Sequence, residues 1–127
     1  MTGRFLSLEG GEGAGKSTQA RALADALEAR GIRTLVTREP GGSEGAEAIR
    51  ALLMQGDVQR WSPHTEALLF AAARADHVEK TIRPAIGAGV WVICDRYLDS
   101  SRAYQGIAGG IDDAAVLALH AFGSRGL

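Results

Sequence analysis

The sequence predicts an open α/β fold, a parallel sheet with flanking helices, on three observations. Short β-prone runs alternate with helical stretches in the order βα, βαα, βα, and the segments joining successive strands are long enough to cross over a sheet. Residues 90–94 (VWVIC) are continuously apolar, as expected of a strand buried on both faces. The glycine-rich run GGEGAGKS, Gly10 to Ser17, joins the first strand to the first helix.

Each element has its own signal. The first strand is expected over residues 4–9 and the first helix from 16 to about 30, where Ala20, Leu23, Ala24 and Leu27 recur at i, i+3, i+4 and i+7. Gly31 stops that helix. Residues 33–37 carry Leu35 and Val36 in a β-prone run, which Pro40-Gly41-Gly42 turns into a loop. Ser43 is placed to N-cap a helix reaching about Gln55, with Glu44 and Glu47 suited to the positive end of its dipole. Ser62 and Pro63 read as the N-cap and first position of a longer helix. Ala71, Ala75, Val78 and Ile82 give it a buried stripe, and Pro84 with Gly87 and Gly89 is expected to close it. After the third strand comes a polar segment, 96–110. Asp112 then caps a helix through about Phe122, with Ala115, Leu117, Leu119 and Phe122 among its apolar positions.

Composition narrows the class. With 127 residues, 46% apolar and 23% charged, the chain suits one folded domain with a real core. A formal net charge of −1 argues against a broad nucleic-acid surface, so the partner should be a small anion gripped by local arginines. Cys94 stands alone in an apolar run, which excludes an intrachain disulfide, favours core packing over a reactive thiol and suits a cytoplasmic setting. The N-terminus has no signal-peptide core, and no apolar run approaches the roughly 20 residues of a membrane span.

The run Gly10–Ser17 has the form G-x4-G-K-[ST], between a strand and a helix. Backbone N–H groups of such a loop converge on a polyphosphate, and the next helix adds positive potential. Gly10, Gly11, Glu12, Gly13, Ala14, Gly15, Lys16, Ser17 and Thr18 are thus the expected ATP contacts. Lys16 would reach the β- and γ-phosphates, and Ser17 would help hold a magnesium ion. Phosphoryl transfer also needs positive charge at the strand ends, where Arg38 and Arg96 lie. The alternative for both is a solvated loop arginine. Phe70 and Arg74 are four apart and share a helix face, with His77 continuing the stripe. Phe70 could stack on a base that Arg74 hydrogen-bonds, although spacing alone favours a core phenylalanine and a surface cation. His77 reads as structural. Asp95, directly after the buried strand, is a candidate to hold a magnesium-bound water.

These residues resemble the bacterial thymidylate kinases, a family of P-loop NTPase-type fold. The resemblance rests on GGEGAGKS, on Thr37-Arg38-Glu39-Pro40-Gly41-Gly42, on the Phe70 and Arg74 face, and on Asp95-Arg96-Tyr97-Leu98-Asp99-Ser100-Ser101-Arg102-Ala103-Tyr104-Gln105-Gly106. It implies transfer of the γ-phosphoryl group of ATP to dTMP, with Mg2+. It also implies that Arg38 and Arg96 bind the dTMP phosphate, Phe70 stacks on thymine and Arg74 bonds its O4 edge. Ser101, Tyr104 and Gln105 complete the pocket, with Tyr104 crowding the sugar C2′. Glu12 takes the acidic loop position that contacts the acceptor sugar or metal waters, and Lys16, Arg96 and Glu12 form the catalytic set. Glu9 and Asp95 join Ser17 as magnesium-shell candidates. A cis peptide before Pro40 and a homodimer through helices near residues 46–54 and 65–82 are implied as well.

The family pattern continues beyond this chain with two more strands, a lid and an adenine-contacting loop. Residues 1–127 therefore read as one incomplete domain, truncated after the third strand and its helix, with the first strand at an open edge. Little or no turnover by this piece alone is expected. Two other readings share the loop: a kinase for a different nucleoside or nucleotide, and a non-catalytic nucleotide-binding module.

Overall fold

The computed structural model describes residues 2–9, 15–57 and 60–127. β3 (Trp91–Asp95) takes the centre of the sheet because it is apolar on both faces, with Val92, Ile93 and Cys94 fully buried. β1 (Phe5–Leu8) and β2 (Thr34–Arg38) flank it in parallel. The order among the described residues is β1-β3-β2, which leaves β1 at an edge. Register sets Leu6 and Val36 beside Ile93, and Phe5 and Leu35 beside Val92.

Alternation along β3 then divides the core in two. Ile93, Leu6 and Val36 pack under Ala20 and Ala24 of α1 (Lys16–Glu28). Val92 and Cys94 face the other way, against Val78, Ile82 and Tyr97 with Phe5 and Leu35. Cys94 therefore packs in the core, as its apolar surroundings predict.

α2 (Glu44–Met54) opens at Ser43, whose Oγ accepts the Ala46 N–H, and α3 (Pro63–His77) opens at Ser62, whose Oγ accepts that of Thr65. Both caps match the sequence reading. Pro84 does not close α3. A π-helical turn, Val78–Ile82, carries the helix into α4 (Arg83–Gly87). The N–H of Arg83 bonds back to the Val78 carbonyl, and this wider turn leaves Pro84 in the first turn of α4, where its missing N–H costs nothing. Gly89, at φ +85°, follows the helix end.

The polar segment after β3 is itself helical: α5 (Leu98–Ser101) runs on through a second π-helical stretch, Arg102–Ile107. Asp112 precedes α6 (Asp113–Ser124) but makes no capping bond. Leu117 and Phe122 are 37% and 89% exposed, contrary to their place in the expected apolar set. Residues 116, 119, 120 and 123 share the inward face, and 117 and 122 fall off it. Gly123 meets α3 closely, since a Cβ there would lie 3.5 Å from that of Ala75. No described helix is long and apolar enough to cross a membrane.

Candidate nucleotide site

Parallel strands end on a common rim, and α1 begins there. Gly15, the N-cap of α1, sits at φ +76°, a left-handed position that suits glycine. Lys16 follows and is buried, with Nζ 3.9 Å from Oδ1 of Asp95 at the end of β3. That Oδ1 is itself buried and, among the described residues, makes no hydrogen bond. A buried carboxylate oxygen held by an ion pair but by no hydrogen bond among the described residues can accept a further donor or a hydrated cation. Ser17 and Asp95 line one cleft of about 640 Å³ together with Arg38 and Glu47. Gly10, Gly11, Glu12, Gly13 and Ala14 lie outside the described residues, and Thr18 is exposed on α1.

Arg38 is exposed and pairs with Glu47 at 2.9 Å, and its hydrogen bond holds the Glu47 carboxyl below its ordinary value. Glu9 accepts through Oε1 from the Tyr97 N–H at 3.0 Å, the Ser100 N–H at 3.2 Å and the Ser100 hydroxyl at 2.7 Å. It therefore ties the end of β1 to the start of α5. That oxygen is engaged, which weakens Glu9 as a magnesium-shell residue relative to Asp95.

A second cleft, of about 380 Å³, gathers Phe70, Arg74, Arg96, Ser101, Tyr104 and Gln105 from α3 and the α5 region. Arg38 is the expected acceptor contact that lines the neighbouring cleft instead. Arg96 adopts φ +72°, which costs a non-glycine residue about 1–2 kcal/mol. Its guanidinium lies 5.3 Å from the Tyr104 ring centroid, and Nη1 donates to the Tyr104 hydroxyl at 3.2 Å. Cation–π contact and hydrogen bond together fix the two side chains as one wall.

Arg74 is only 6% exposed, so it is not the surface cation that spacing alone favours. Its Nε donates to Oε1 of Glu39 at 2.6 Å, and its guanidinium lies 4.6 Å from the Tyr97 ring centroid. Oε2 of Glu39 is 2.8 Å from Nδ1 of His77, whose Nε2 is 2.8 Å from Oγ1 of Thr37. Sequence reasoning missed Glu39 and Thr37 as parts of the site. The available signal was modest: Arg74 and His77 stand at i, i+3, where two polar side chains on one buried helix face need a shared counter-group.

Glu39, His77 and Cys94 also bring three possible metal-ligating atoms within 4.8 Å of one another. Both oxygens of Glu39 and both ring nitrogens of His77 are already hydrogen-bonded, and the Cys94 thiol donates to the Arg96 carbonyl at 3.1 Å. Burial pushes that thiol's pKa up, away from the thiolate a metal requires. The cluster reads as a hydrogen-bonded core.

A G-x4-G-K-S motif in the sequence, together with a lysine facing a strand-end aspartate and a basic, aromatic cleft along the sheet rim, defines a nucleotide-binding α/β domain of the P-loop class. Residues 8–124 match the family model described as thymidylate kinase, and the chain belongs to that family. It is 68% identical over 126 residues to the thymidylate kinase of Rhizorhabdus wittichii, covering 99% of this chain and 61% of that protein. To the thymidylate kinase of Caulobacter vibrioides it is 60% identical over 117 residues, covering 92% of this chain and 56% of that one. A crystal structure of the Ehrlichia chaffeensis thymidylate kinase superposes with a TM-score of 0.88 at 37% identity, covering 97% of this chain and 70% of that chain. The chain thus spans 61% and 56% of the length of the first two relatives.

Proposed function

We propose that this chain carries the acceptor cleft and phosphate rim of a kinase that transfers the γ-phosphoryl group of ATP to dTMP. A dTMP phosphate oxygen bonds to the γ-phosphorus as the bond to the β,γ-bridging oxygen breaks, giving dTDP and ADP. The observation that carries the reading is the shared rim, where Lys16 faces Asp95, Asp95 lines one cleft, and Phe70, Arg74, Arg96 and Tyr104 line the cleft beside it. Lys16, Arg96 and Glu12 act as the catalytic set, with Lys16 drawing charge from the transferred group and Arg96 with Arg38 neutralising the acceptor phosphate. Phe70 stacks on the base, Arg74 bonds its edge, and Ser101, Tyr104 and Gln105 close the pocket.

The Asp95 oxygen makes no hydrogen bond among the described residues and lies in the cleft that Ser17 also lines, which fits a hydrated magnesium ion held by those two residues. Bound there with ATP, it would neutralise charge on the phosphate oxygens. Leu52, Met54 and Leu68 are 40%, 57% and 57% exposed on α2 and α3, which supports pairing of two copies through those helices. A single buried cysteine supports a reducing, cytoplasmic setting.

Calorimetry on the 127-residue chain tests the acceptor reading. It is expected to bind dTMP at least about tenfold more tightly than dCMP, whose exocyclic amine replaces the O4 acceptor, with Arg74→Met abolishing that preference. Lys16→Ala should remove ATP binding and leave dTMP binding in place. Equal affinity for dTMP and dCMP in the folded chain would refute the acceptor assignment.

A further inference from the structure

An arginine reads a planar base edge well only when its guanidinium is oriented before the ligand arrives, because a mobile side chain must be ordered at the expense of affinity. Arg74 is oriented from behind. Its bond to Glu39 uses Nε, and the side chain lines the acceptor cleft, so the Nη groups are left to face a ligand. One hydrogen bond does not fix a carboxylate, which can rotate about its own bond unless the second oxygen is also held. The second oxygen of Glu39 is held by His77.

We propose that Thr37, His77 and Glu39 form a buried relay that positions Arg74, with His77 as the positioning residue at its centre; the proposal rests on the reading of Arg74 as the contact to the acceptor base. The direction of the relay follows from its hydrogen-bond chemistry. The Thr37 hydroxyl donates to Nε2 of His77, and Nδ1–H donates to Oε2 of Glu39, which leaves Oε1 to accept from Arg74. The other tautomer would set a ring lone pair against a carboxylate oxygen at 2.8 Å. Glu39, which can only accept, thus selects the tautomer, and the Thr37 hydroxyl satisfies the ring nitrogen that remains.

The loop after β2 covers the histidine of the relay. Gly42 lies at φ +90°, and a Cβ there would fall 2.2 Å from Nε2 of His77 and 2.5 Å from Oγ1 of Thr37. Only a glycine lets the loop lie that close. The Gly42 carbonyl accepts from Oγ1 of Thr81, within the π-helical turn that starts one residue after His77. One wide turn of helix therefore secures both the histidine and the loop that covers it. His77 is fully buried and Glu39 6% exposed, so water does not compete for these bonds.

The test compares three variants by side-chain NMR of the arginine Nε–H groups without ligand, and by calorimetry with dTMP. In His77→Asn the new amide stands in for Nδ1 and still donates to Glu39. In His77→Gln it reaches toward the Nε2 position and leaves Oε2 without a donor. The Arg74 Nε–H signal should be protected from exchange in the wild type and in H77N, and exposed in H77Q. Affinity for dTMP should fall about tenfold or more in H77Q alone. Thr37→Val, nearly the same shape without the hydroxyl, should loosen the Arg74 signal partly and supplies the test should H77Q not fold. Equal protection of Arg74 in folded H77N and H77Q, or an unchanged signal in T37V, would overturn the relay. A signal that follows the relay while dTMP affinity follows neither histidine variant would support the relay and refute Arg74 as the base contact.

Discussion

The Glu39–Arg74 pair should behave as a buried couple whose halves cannot be removed singly. Their side chains are 5% and 7% exposed, and the contact is 2.6 Å. Glu39→Gln strands the guanidinium among neutral acceptors, and Arg74→Met strands the carboxylate with only His77 beside it. Each single substitution is expected to cost about 3–5 kcal/mol of folding stability. The double variant removes both charges, fills the volume with methionine and leaves one imperfectly bonded amide, at a cost of about 1–3 kcal/mol. The singles sum to about 6–10 kcal/mol, so the coupling between the sites should exceed about 3 kcal/mol. Urea unfolding followed by the fluorescence of Trp61 and Trp91 measures all four species, and urea avoids the charge screening of a guanidinium salt. A single loss of this size is a large part of the roughly 5–15 kcal/mol available to a domain, so the series is best run with a stabilising osmolyte. Additive costs, within about 0.5 kcal/mol, would refute the claim that the two charges depend on one another.

Two further expectations come from titratable groups. Burial first, and then the Arg74 charge, hold His120 below its ordinary value of 6.5. The unfolded chain then binds more protons as pH falls, so the His120 contribution is complete above about pH 6.5 and is lost as pH drops through the lower folded value. The melting temperature should decline from about pH 7 toward pH 5, above the range where the lowered carboxyls of Glu47, Asp76 and Asp113 take up protons. His120→Gln should flatten that part of the profile, and an unchanged slope would remove His120 as its cause. Cys94 is buried at the centre of the sheet with its thiol pKa pushed up. It should resist maleimide in the native chain and react fully in urea, whereas rapid native labelling would contradict the central place of β3.

The fold was legible where a residue type has only one comfortable position. A five-residue apolar strand bounded by glycine and aspartate must be buried, and β3 lies within one residue of its expected span. Ser43 and Ser62 precede helices they can cap, and both do so. The second cleft was legible through the resemblance rather than through spacing: the family pattern names Phe70, Arg74, Ser101, Tyr104 and Gln105, and these side chains line it together. Glu39 was not legible, because nothing in a strand-end glutamate says whether it meets water or a buried guanidinium. Its partners arrive from 35 and 38 positions away.

The π-helical turn that follows α3 lets one helical run serve two different neighbours. Upstream of Val78 the helix turns Phe70 and Arg74 toward the cleft, and His77 toward Glu39 behind it. Downstream, Val78, Ile82, Ala85 and Ile86 face the apolar side of the sheet. A uniform 3.6-residue repeat presents one face along its length, and this helix has two neighbours of opposite polarity. The turn between Val78 and Ile82 lies at that boundary, and it also admits Pro84, which a sequence reading takes as a stop. A binding surface and a hydrophobic core can thus be built on one helix, because the irregularity falls where one hands over to the other.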